Sequence, residues 1–102
     1  MNDKIEKLWA QCVQLKRVTP EYINEVVITS PREVASMMGK ETHVSIELPN
    51  GFTVSGRAAV VDKSKFDLSV GEPIALKRIE ESVWQLEGYR LQQELFEAGE
   101  QA

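Results

Sequence analysis

Lys63 and Lys65 stand in the polar segment DKSK, and Lys77 and Arg78 follow in the next stretch. A loop and the first turns of a helix that carry several cations can hold an anion such as a nucleotide phosphate. Ammonium, guanidinium and free helix N–H groups all favour negative charge. The same four residues also serve to balance charge on an acidic surface. Asn50, in the turn Asn50-Gly51-Phe52, is a further ligand candidate at a hairpin tip. Turn geometry already accounts for Asn and Gly there, and core packing accounts for Phe.

Other chemistry lacks its residues. His43 is the only histidine, and no Cys cluster or acidic pair stands at ligand spacing from it. Cys12 is the only cysteine, so no intrachain disulfide forms. It lies on an apolar helical stripe, which reads as a buried thiol. No nucleophile elbow, Walker loop or dinucleotide fingerprint occurs. The adjacent acids Glu80 and Glu81 read as a solvated helix face. The expectation is therefore no enzyme, no cofactor and no metal.

The chain has 102 residues, of which 42% are hydrophobic, enough for one small domain spanning 1–102. Small cores are often completed by oligomerisation. The net charge of −4 argues against non-specific binding to nucleic-acid backbones. No signal peptide and no membrane-length apolar run is visible, which points to a cytoplasmic protein with no membrane partner.

The elements that must position these residues are legible in part. Over residues 1–18, Ile5, Leu8, Trp9, Cys12 and Leu15 recur at helical spacing and predict an amphipathic helix. Thr19 as N-cap and Pro20 at the first helical position start a second, short helix that ends near Val27, where β-branched residues begin. The stretch SPREVASMMGK is ambiguous. Ser30 with Glu33 matches a capping box and Gly39 a helix stop, yet the same residues suit an edge strand.

Val44, Ile46 and Leu48 alternate with polar residues, and Phe52 and Val54 continue the pattern beyond Asn50-Gly51. This predicts a hairpin whose second arm runs to about Val61, with Gly56 marking a bulge or a close backbone approach. A long helix follows from about Gly71 to Ala98, with Pro73 in its first turn. The fold class is α+β: N-terminal helices, an antiparallel β-hairpin or three-stranded sheet, and a long C-terminal helix packed on the sheet.

That last helix reads as two apolar stripes. Ala75, Leu76, Ile79, Val83 and Leu86 cluster on one side, and Trp84, Leu91 and Leu95 on another, beside Gly88. One stripe covers the hairpin. The second meets either the N-terminal helix, through residues such as Trp9, or the same helix of a second copy. Gly88 would let that partner come close. Trp84, Gly88, Leu91, Leu95 and Trp9 are thus the candidate interface of a homo-oligomer.

Three segments stand in order: LPNGFTVSG, KFDLSVGEPIA and IEESVWQLEGYRLQ. Together they resemble a family of short tailed-phage and prophage proteins named after gene products of coliphage N-four and Shigella phage Sf-six. The resemblance rests on Asn50-Gly51-Phe52, on Phe66-Asp67 with Gly71, and on Trp84, Leu86, Glu87, Gly88 and Tyr89. It covers about Thr19 to Gln92, within a core taken as 19–98. It departs at Pro73, at Arg57-Ala58-Ala59 and at the N-terminal helix. The resemblance implies phage origin and the host cell cytoplasm, and it brings no catalytic residues. The expected function is that of an accessory protein that binds a host or phage protein. The alternative is a binder of small nucleotide-type anions that counters host antiviral defence.

Overall fold

The computed structural model describes residues 2–100. Met1 and residues 101–102, which the expected 1–102 span includes, lie outside the described residues. Helix α1 (Asp3–Leu15) starts where Asn2 Oδ1 accepts the N–H groups of Lys4 and Ile5. It ends at Lys16, in the left-handed conformation at φ 59°, with Arg17 N–H returning to Cys12 O. Helix α2 (Pro20–Thr29) starts as expected, with Thr19 Oγ1 accepting from Tyr22 N–H. It runs two residues past the expected end at Val27. Val26 and Val27 are buried in the core, and that burial outweighs their weak helix preference.

Ser30 decides the ambiguous stretch. Its hydroxyl donates to Val26 O at 2.6 Å, and its N–H bonds the same carbonyl. Ser30 therefore closes α2 rather than opening another helix. The chain is then free to extend, and Pro31 O accepts Glu47 N–H at 3.0 Å. Strand β1 (Arg32–Met37) follows, antiparallel to β2 (Glu41–Glu47), which pairs in turn with β3 (Thr53–Ala59). The sheet order is β1-β2-β3, so β1 is an edge, and all six of its residues are exposed.

The turn between β2 and β3 is a three-residue loop, Pro49-Asn50-Gly51. Leu48 O accepts Gly51 N–H, Phe52 O accepts Leu48 N–H, and Gly51 takes φ 92°. The buried face carries Thr42, Val44, Ile46, Leu48, Val54 and Ala58. Phe52, expected to continue that buried pattern, is 55% exposed. It precedes the first residue of β3, beyond the strand's covered length. The second arm ends at Ala59 rather than Val61.

Helix α3 (Leu68–Glu97) begins earlier than Gly71, because Asp67 Oδ1 accepts from Ser69 N–H and caps it. Pro73 thus lies inside the helix rather than in its first turn. Between β3 and α3, the expected polar loop contains a 3-10 turn at Lys63–Lys65.

The inward line of α3 steps by four residues: Gly71, Ala75, Ile79, Val83, Glu87, Leu91, Leu95. All but Gly71 are buried. A step of four advances about 40° around the helix axis, so the line winds as it runs. The smallest residues come first, where α3 lies tight on the sheet. A Cβ on Gly71 would run into the Thr42 side chain, and one on Gly56 would stand 2.6 Å from Ala75 O. Gly56 thus marks a close approach, and the β2–β3 register runs through it without a break. The helix touches β2 and β3 along one part of its length and α1 and α2 along another. The result is an elongated body of 55 × 25 × 20 Å.

The buried members of both expected stripes, Ala75, Ile79, Val83, Leu91 and Leu95, therefore lie on one winding line, with Leu76 and Trp84 half-buried beside it and Leu86 exposed. Leu91 and Leu95 are 4% and 2% exposed, so both are covered within the chain itself.

Candidate functional site

Where the winding line reaches the α1–α2 end, it carries a charge. Glu87 is 7% exposed, an uncommon state for a carboxylate. Its Oε2 accepts from the Tyr22 hydroxyl at 3.1 Å and from Arg90 Nη1 at 3.2 Å. Arg90 also donates through Nη1 to the Tyr22 oxygen and through Nε to Glu94 Oε2. Its guanidinium lies 3.9 Å from the centroid of the Trp9 ring. Trp9 in turn donates Nε1–H to Glu94 Oε1 at 3.1 Å, and its ring tilts against Tyr22 with centroids 5.0 Å apart. The set joins all three helices through one polar network.

The electrostatics follow from this packing. Burial, then the negative charge of Glu87, pushes the Tyr22 phenol well above its ordinary value. Burial works against the Arg90 charge, but Glu87, Tyr22 and Glu94 outweigh it and hold the guanidinium above its usual value.

Beside this network opens a cleft of about 670 Å³. Its walls come from α1 (Ile5, Glu6, Trp9), from Tyr22 of α2, from the hairpin tip (Leu48, Pro49, Asn50, Phe52) and from α3 (Leu86, Glu87, Arg90). The volume lies within the usual range for ligand clefts, about 300–1,000 Å³. Asn50 Oδ1 is occupied by Phe52 N–H at 3.1 Å, and its amide nitrogen makes no hydrogen bond among the described residues.

The expected site residues divide. Asn50 and Trp9 meet in this cleft, although they were singled out for different roles. The cations Lys63, Lys65, Lys77 and Arg78 do not line it. Lys65 lines a separate cavity of about 50 Å³, far smaller than a nucleotide site. Arg78 donates to the carbonyl of Arg57, and neither Lys63 nor Lys77 has an ion pair among the described residues. Trp84 is half-buried against the core. A Cβ on Gly88 would meet nothing within 4 Å, so none of the described residues exploits the missing side chain.

Of the residues gathered here, Glu87 enters from the sequence only through the family resemblance, and Glu6, Arg90 and Tyr22 are not among the expected site residues. A carboxylate in register with an i,i+4 apolar line is the signal that could have singled out Glu87 as a site residue.

On the outer sheet face His43 Nε2 lies 2.8 Å from Glu41 Oε1, with Arg57 Nη1 3.6 Å from Glu41 Oε2. The bond with His43, then Arg57, holds the Glu41 carboxyl below its usual value despite some desolvation. No group of three or more His, Cys, Asp or Glu that could hold a metal occurs among the described residues. Nor is any helix among them long and apolar enough to cross a membrane.

Neither the curated proteins nor the solved structures contain a match to this chain. A family model matches residues 18–95, which takes in α2, the whole sheet and α3 up to the last buried residue of its inward line. Asn50, Phe52, Leu86 and Glu87, all part of the resemblance, meet at the cleft within that span. The chain belongs to the Phage protein (N4 Gp49/phage Sf6 gene 66) family.

Proposed function

We propose that this phage protein is a non-enzymatic accessory factor that binds a host or phage protein through the cleft between α1, the hairpin tip and α3. The supporting observation is the cleft's lining. It combines exposed apolar groups, Phe52 and Leu86, with the aromatic Trp9 and a free Asn50 amide. Aromatic anchors with a few fixed polar groups are the usual composition of a recognition site. Phosphate binding fits this lining less well, since two of its three ionised groups are carboxylates. The nucleotide-type anion and the anti-defence role therefore stand second.

The test compares tagged wild-type protein with Phe52→Asp, both purified from infected cells. Phe52 is exposed, so its replacement leaves the fold intact by circular dichroism. A partner retained by the wild type and lost by Phe52→Asp supports the reading. Identical sets of retained proteins would sink it.

Self-association has its own support. The chain exposes 6909 Å² of surface. A monomer of 11.5 kDa ordinarily exposes about 5,800 Å². On the outward face of α3, Tyr89 is 75% exposed and Phe96 65%, with Leu86 beside them. A homo-oligomer would use this face rather than Leu91 and Leu95. Light scattering of the wild type and of Tyr89→Lys/Phe96→Lys decides it. Equal masses for the two would remove this face as the contact.

A further inference from the structure

We infer that the cleft selects an organic cation with an apolar stem, an alkylammonium or guanidinium group held by Glu87; this rests on the cleft being the binding site. Three observations carry it. Glu87 is more than nine-tenths buried, and both of its hydrogen bonds fall on Oε2. Oε1 has no partner among the described residues, yet no buried side-chain oxygen there is left unsatisfied. It therefore still reaches open space, and Glu87 lines the cleft.

The balance of charge is the second. Glu6 and Glu87 face the cleft against Arg90 alone, and the Arg90 charge is already met by Glu87 Oε2 and Glu94 Oε2. The remaining field favours a positive ligand. A cation that reaches Oε1 makes a charge-assisted hydrogen bond in a partly desolvated place, where such bonds are strongest.

The third is internal. Arg90 already lies on the Trp9 ring and on Glu87, which shows that these walls accept a guanidinium. Ile5, Leu48 and Leu86 line the same space and suit the methylene stem that leads to such a group.

Two sources share this chemistry: a free amine, and the Lys or Arg side chain of a partner polypeptide. The test uses the full chain, ¹⁵N-labelled, and follows the Trp9 indole and Asn50 amide signals. The probes are 1,5-diaminopentane, the blocked peptide acetyl-Leu-Lys-Leu-amide, and adenosine monophosphate as the anion. Saturating shifts from a cationic probe, weakened about tenfold by Glu87→Gln, with none from the nucleotide, are expected. Tighter binding of the peptide than the diamine identifies a polypeptide source, and the reverse order a free amine. Should Glu87→Gln unfold, the exposed Glu6→Gln is expected to weaken binding with the fold intact.

Unchanged affinity in the carboxylate variants overturns the inference. So do equal shifts from the nucleotide, or no shift from either cation. If Phe52→Asp still releases a partner while the cations fail, the cleft remains the binding site and only its charge preference is refuted.

Discussion

The Tyr22 hydroxyl donates to Glu87 Oε2 at 3.1 Å, tying α2 to the middle of α3 across 65 residues of sequence. Because the folded chain raises the Tyr22 phenol, the neutral form is favoured in the fold. The stabilisation is fully present below the unfolded value of 10.0 and is lost as the pH rises beyond it. Tyr22→Phe keeps the ring against Trp9 and removes the hydroxyl. It is expected to cost about 1–2 kcal/mol at neutral pH and to flatten the loss of stability above pH 10.0. Urea unfolding of both proteins across the alkaline range checks both statements.

Three glycines separate by what surrounds them. Gly71→Ala drives a methyl into Thr42, and Gly56→Ala drives one into Ala75 O. Each is expected to cost about 1–3 kcal/mol by overpacking. Gly88→Ala meets open space and is expected to stabilise the helix by about 0.5–1 kcal/mol. Thermal unfolding orders the three. A destabilised Gly88→Ala would mean that another chain occupies the space above Gly88.

Pro73 lies in the interior of α3, where it supplies no N–H to the Ser69 carbonyl and crowds it. Pro73→Ala is expected to stabilise the protein by roughly 1–3 kcal/mol. An unchanged melting temperature would show that the segment from Ser69 to Pro73 contributes little to cooperative unfolding.

Asp67 caps α3 through the hydroxyl and N–H of Ser69, and these bonds hold its carboxyl below the ordinary 3.8. A depressed carboxyl stabilises the fold above the unfolded value, and that contribution is lost as the pH falls below it. Asp67→Asn can still cap but does not titrate. Its stability is expected to fall less steeply with acid than that of the wild type, as read by urea unfolding.

Much of this architecture is written in local chemistry. Thr19-Pro20 starts α2 and Asn50-Gly51 turns the hairpin, because caps and tight turns depend on residues close in sequence. The alternation at Val44, Ile46 and Leu48 places the sheet's buried face for the same reason. These features, with the order of the family segments, follow from residues near one another along the chain.

The remaining features come from packing between distant segments. Whether Ser30 opens a helix or closes one depends on which carbonyl its hydroxyl reaches, and both geometries suit the same local residues. On a fixed helical wheel, a line that advances by four residues spreads into two stripes. Only its packing, on β2 and β3 and then on α1 and α2, shows it to be one. Glu87 belongs to that line, but its setting depends on Tyr22, Arg90 and Trp9, which stand on three different helices. Arg90 stands at i+3 and is recorded by spacing, but the Tyr22 hydroxyl reaches Glu87 from 65 residues away, a contact made only in space.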